Sequence, residues 1–99
     1  MYVNIIRSMS TFVEEEVLTE TVTTTTEEYD LIVFNDDVNT FDHVISTLID
    51  VCGHDPHQAE QCTWIIHYRG KCSVKVGAFD ELAPLRNDIC GRGISAEVL

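Results

Sequence analysis

The stretch from Leu31 to Ile49, LIVFNDDVNTFDHVISTLI, limits what this chain can fold into more than any other. It opens on an apolar run, Leu31-Ile32-Val33-Phe34, rich in β-branched side chains and of strand length. It closes on a helical period. Phe41, Val44, Ile45, Leu48, Ile49 and Cys52 recur at the spacing of one face of a 3.6-residue helix. Between the two lie Asn35, Asp36, Asp37, Val38 and Asn39. Asn and Asp suit a tight turn because their side chains bond nearby backbone. Three adjacent polar side chains at the mouth between a strand and an apolar helix also make a small cation-binding site. Turn and site both stay open at this point.

The remaining punctuation places the other elements. Tyr29 to Phe34 is the first strand. Asn39 or Thr40 caps the first helix, Asp42 lies in its first turn where an acid suits the dipole, and Cys52-Gly53 ends it. Asp55 caps the second helix, Pro56 takes its first position and Gln58 completes a capping-box spacing. That helix runs to His67 or Tyr68 and stops at Gly70. Lys71 to Val76 alternates, with Cys72, Val74 and Val76 on one face of a half-buried strand. A third helix starts near Phe79 or Asp80, with Leu82, Leu85 and Ile89 inward. Pro84 is tolerable there only in the first turn or with a local bend. Cys90-Gly91-Arg92-Gly93 ends it, and Ile94 to Val98 is the last strand. The order β-α-α-β-α-β predicts an α+β domain, a small three-stranded antiparallel sheet with three helices on one face.

Residues 1–28 read differently. Glu14-Glu15-Glu16, Glu20, Thr23 to Thr26 and Glu27-Glu28 dominate this segment. It has too little apolar surface to offset the entropy of ordering, so a flexible acidic extension is expected there and a core domain over residues 29–99. Met9 offers an alternative start to the natural chain. Residues 1 to 10 hold no continuous apolar core of secretory length, and no stretch is long and apolar enough to span a membrane. Cys52, Cys62, Cys72 and Cys90 fall mostly among apolar residues on helix or strand faces. Reduced thiols and a cytoplasmic compartment are therefore expected.

The formal net charge of −11 argues against a nucleic-acid backbone as partner, since phosphate binding needs clustered Lys and Arg. It favours cationic partners or a positive amino group. If the first two helices pack antiparallel, the end of the second returns beside the start of the first. His67 then meets Asn35, Asp36 and Asp37, next to Phe41, Val44, Thr63 and Ile66. Such a place suits an amine beside an apolar side chain. The competing reading of His67 is a helix C-terminal cation that complements the dipole. Cys52, His54, His57 and Cys62 bear zinc-ligand chemistry, but their spacing matches no compact finger and the Asp55-Pro56 cap already explains its own residues. No cysteine sits at a glycine-rich turn or helix start, where a nucleophilic thiolate would be favoured. No metal and no cofactor are expected.

The strand, the Asn35-Asp36-Asp37 turn, Asn39-Thr40-Phe41, Val44-Ile45 and Ile66-His67-Tyr68-Arg69-Gly70-Lys71 together resemble the ClpS family, adaptors of the Clp ATP-dependent protease. The match covers nearly all of residues 29 to 98 in order, and the segment before Tyr29 looks like the family's variable N-terminal extension. The resemblance implies a monomeric, non-enzymatic adaptor of the N-degron pathway. Such adaptors bind proteins whose first residue is bulky and apolar and deliver them to a Clp AAA+ unfoldase of the ClpA or ClpC type. It implies that Asn35, Asp36 or Asp37, and His67 hold the free α-amino group. Asn39, Phe41, Val44, Thr63 and Ile66 would line the pocket for the first side chain. Lys71, Glu81 and Arg86 would face the unfoldase. The family often has Met where Thr63 stands, so a wider slot, tolerant of Ile or Val, is expected here.

Two rivals remain. One is a module like the C-terminal domain of the ribosomal stalk protein, which shares a similar small fold but would present a basic helix face. The other is a small enzyme using His67 with Asp36 or Asp37 as acid and base, for which no nucleophile or cofactor motif exists.

Overall fold

The structure, a computed structural model, describes residues 27–99. The extension expected over residues 1–28 lies outside the described residues except for Glu27 and Glu28. The elements are β1 (Tyr29–Phe34), α1 (Phe41–Cys52), α2 (Pro56–Arg69), β2 (Lys71–Gly77), α3 (Phe79–Gly91) and β3 (Ala96–Val98). The fold is α+β, with the predicted order β-α-α-β-α-β.

The apolar strand takes the centre of the sheet. The spatial order is β2-β1-β3, and both pairings are antiparallel. Leu31 and Val33 are fully buried while Asp30, Ile32 and Phe34 on the alternate positions are half-buried, so one face of the sheet carries the core. Leu48, Leu82, Ile89, Ala59 and Ile66 from the three helices complete that core.

One strand face departs from the alternation read in the sequence. Leu31 pairs with Lys75 but Ile32 pairs with Ser73, so Val74 is an extra residue in β2. A one-residue bulge reverses the in/out pattern beyond it. Val74 is buried, but Val76 pairs with Asp30 and is 53% exposed rather than sharing the core face with Cys72 and Val74.

The helix ends follow their capping chemistry. Thr40 is the N-cap of α1, its hydroxyl accepting from His43 N–H at 3.1 Å. Asp55 caps α2 by accepting from Gln58 N–H at 2.8 Å, with Pro56 at the first helical position. Gly70 ends α2 in the left-handed region at φ 90°, its N–H donating to Ile66 C=O, so the helix runs on to Arg69. Ala78 has no side-chain acceptor to offer α3; instead Glu81 Oε1 accepts from Ala78 N–H at 3.3 Å. Pro84 lies inside α3, past the first turn. It removes the bond that Asp80 C=O would accept, and both residues lie on the exposed side of the helix. The last strand is shorter than expected. Ile94 donates its N–H to Ile89 C=O and so belongs to the end of α3, buried but outside the ladder. No helix among the described residues is long and apolar enough to cross a membrane.

Candidate functional site

The turn after β1 is built by one carboxylate. Asp36 Oδ1 accepts from the backbone N–H groups of Val38 and Asn39, both at 2.8 Å, and Oδ2 accepts from Asn39 Nδ2 at 2.7 Å. The Asn39 N–H is the main cause that holds the Asp36 carboxyl below its ordinary range. Partial burial opposes it as the next-largest effect, and the Asn39 amide, the Val38 N–H and the nearby His43 add to the lowering. Asn39 spends its second amide proton on Gly93 C=O at 2.9 Å, in the turn after α3. Both partners of Asn39 Nδ2 are acceptors, which fixes the amide's orientation and leaves Oδ1 as its spare acceptor.

The same turn is tied to the end of α2. Asn35 N–H donates to Gly70 C=O at 2.9 Å. The short turn Gly53–Asp55 sends α2 back along α1, so the first residue of α1 meets the last turns of α2. The ring centroids of Phe41 and His67 are 5.5 Å apart, edge to face. A cavity of about 320 Å³ opens at this junction. It is lined by Asn35, Asp36, Asp37, Asn39, Phe41, Val44, Thr63, Ile66 and His67, the residues expected for the amine and side-chain positions, with Thr40 added.

The lining is divided by polarity. Val44, Thr63 and Ile66 are buried, whereas Asn35, Asp37 and His67 are exposed. Thr63 Oγ1 donates to Ala59 C=O at 2.7 Å, so its hydroxyl is already satisfied. The result is an apolar floor under a rim of acceptors: the Asn35 amide, the Asp37 carboxylate, Asn39 Oδ1 and one nitrogen of the His67 imidazole. Of the two adjacent carboxylates, Asp36 already accepts three bonds, close to its capacity. Asp37 makes none among the described residues.

The residues expected to face an unfoldase are all exposed but do not form one compact patch. Lys71 begins β2 opposite Phe34, while Glu81 lies by Gly77 at the other end of that strand, about 20 Å away at strand rise. Arg86 Nε donates to Ala96 C=O at 3.1 Å, at the start of the edge strand β3. It also lines a larger, shallower hollow of about 460 Å³ with Phe79, Ala83, Asn87, Glu97 and Val98.

Of the set Cys52, His54, His57 and Cys62, His54 is buried with Nε2 on Val74 C=O at 2.7 Å, and Cys52 is buried in the core. Burial pushes the Cys72 thiol up to about 11, with Cys62 beside it acting in the same direction. Burial raises Cys52 as well. At neutral pH these groups stay thiols rather than thiolates.

A residue that the sequence did not single out sits against the cavity wall. Trp64 packs edge-on against Phe41 with ring centroids 4.5 Å apart. Its position on α2 falls off the buried stripe Ala59, Thr63, Ile66, so helical periodicity gives no signal for it.

A family model described as ATP-dependent Clp protease adaptor protein ClpS matches residues 24–93. The chain belongs to the ClpS family. The matched segment includes every residue that lines the smaller cavity and ends at Gly93, whose carbonyl anchors Asn39. As a member of ClpS the chain is an adaptor of the Clp protease, which sets aside the ribosomal-stalk reading. A search of the curated proteins found no match.

Proposed function

We propose that the cavity at the β1–α1 turn captures the free α-amino group and the bulky apolar first residue of N-degron proteins. The adaptor then delivers them to a Clp AAA+ unfoldase of the ClpA or ClpC type. The observation that carries this reading is the division of one small cavity into an acceptor rim and an apolar floor. An α-ammonium brings three donors and one positive charge, the complement of Asn35, Asp37, Asn39 Oδ1 and His67. The first side chain then lies over Val44, Thr63 and Ile66, beside Phe41.

Magnitudes explain why both halves are required. A hydrogen bond to a charged group contributes roughly 1.5–3 kcal/mol. Burying a Leu or Phe side chain contributes roughly as much again. Two or three such bonds and one side chain reach the ~8 kcal/mol of a micromolar complex once ordering costs are met, and neither half does so alone. An internal apolar residue lacks the amine. A small or charged first residue lacks the buried side chain.

The test is fluorescence anisotropy with a short labelled peptide that begins with Phe, beside the same peptide acetylated on its α-amine. Micromolar binding of the first and loss of binding by the second are expected. Equal affinity for the two would remove amine capture.

A further inference from the structure

Four rings form one cluster at the edge of the cavity: Phe41 from α1, and Trp64, His67 and Tyr68 from α2. Trp64 touches Phe41 edge-on at 4.5 Å and 67°. It also stacks on Tyr68 at 5.2 Å and 12°. His67 meets Phe41 at 5.5 Å and Tyr68 at 5.1 Å, both edge-on. Phe41 thus touches two aromatic neighbours, Trp64 and the rim imidazole, and Trp64 in turn is in contact with Tyr68. Trp64 does not line the cavity and is 41% exposed, so it contributes little to the core.

The wall that Phe41 forms matters because of what stands beside it. Thr63 is short, and its hydroxyl is fixed on Ala59 C=O. A short neighbour leaves the shape of the slot to the ring of Phe41. A phenyl ring at the first position of a helix, half-buried, keeps one orientation only if something packs on its faces and edges. Trp64, the nearer of its two aromatic neighbours, supplies most of that packing.

We infer that Trp64 is a positioning residue for substrate choice. It holds the Phe41 ring as a fixed wall of the side-chain slot, with Tyr68 bracing it, and so determines how strongly the slot separates one apolar first residue from another. This rests on the amine-and-side-chain reading of the cavity. It assigns Trp64 no contact with the α-amino group. Its removal therefore loosens discrimination without abolishing amine dependence.

Trp64 is the chain's only tryptophan, so its own emission reports on the wall. The experiment uses the full chain, as wild type, Trp64→Ala and Trp64→Phe, with labelled peptides that begin with Phe, Leu or Val and contain no tryptophan. In Trp64→Ala the ratio of the Val-first to the Phe-first dissociation constant should shrink roughly two- to tenfold. Trp64→Phe should retain most of that ratio, and acetylation should still abolish binding to all three proteins. Independently, unlabelled Phe-first peptide should change wild-type Trp64 emission saturably, with the dissociation constant given by anisotropy.

An unchanged ratio in a Trp64→Ala protein shown to be folded by thermal unfolding would overturn the inference and leave the cavity reading standing. So would a silent tryptophan at saturating peptide. If Trp64→Ala does not fold, Trp64→Phe and the emission titration decide. If the wild type binds none of the peptides, the cavity reading falls and the inference with it.

Discussion

Asp36 and Asp37 are neighbours with the same side chain and different work. Asp36 is consumed by the turn, and the hydrogen bonds it accepts hold its carboxyl below the usual range. A carboxyl depressed in the folded state stabilises that state above the unfolded pKa. The contribution is lost as pH falls through the folded value. Asp36→Asn should therefore cost about 1 kcal/mol or less at pH 7, because the group lies close to solvent and is screened. The gap to wild type should close below roughly pH 4. Asp37→Asn should leave stability within about 0.5 kcal/mol and weaken binding of a Phe-first peptide by roughly tenfold or more. Urea denaturation at two pH values and peptide anisotropy read the two effects separately. A reversed pattern, with Asp36→Asn losing binding at full stability, would assign the amine contact to the other carboxylate. The sequence could not divide these roles, because both residues stand in the same turn and only the bonds to Val38 and Asn39 tell them apart.

At the scale of elements, what was legible is what local chemistry determines. Asp55-Pro56 and Gly70 mark α2 by capping alone, and the apolar period of α1 shows its buried face directly. The convergence of Asn35, Asp37 and His67 was legible too, because two helices joined by a short turn bring the end of the second to the start of the first. The bulge at Val74 was not. Its cause is the pairing of β2 with β1, and the alternation from Lys71 to Val76 carries no trace of it. Trp64 was missed for a related reason, since its partner is on another helix. Gly70 joins the legible and the hidden: its conformation ends α2, and its carbonyl receives Asn35. An added Cβ at Gly70 meets nothing within 4 Å, so the cost of Gly70→Ala is conformational, about 1–2 kcal/mol for a side chain held at φ 90°. Gly91, in the last turn of α3, also has open space, and its φ is not positive. Gly91→Ala should be neutral or stabilise by about 0.4–1 kcal/mol. Opposite signs in thermal unfolding are expected, and a destabilised Gly91→Ala would refute the argument from backbone conformation.

The molecule as a whole places its cavity where separate parts of the chain are fastened together. Asn35 is bound to the end of α2, and Asn39 to the turn after α3. One turn later, His43 Nε2 bonds Arg92 C=O at 2.9 Å and Asp50 meets Arg92 at 3.1 Å, so α1 is clamped along its length to the end of α3. The backbone beneath the rim and the Asn39 amide are held by such long-range bonds, which lowers the ordering cost of the proposed binding. The net charge of −11 then acts at a distance. A peptide amine approaches a surface whose field attracts it before any contact forms, and such steering raises the association rate far more than it changes dissociation. Salt shortens the reach of that field from about 10 Å at 0.1 M to about 3 Å at 1 M. Stopped-flow binding of a Phe-first peptide should therefore slow severalfold in association between those concentrations, with dissociation changing much less, since an ammonium bound in the proposed way would be in contact with its acceptors. If salt instead speeds dissociation and leaves association alone, the charge of the chain serves solubility and the rim alone accounts for binding.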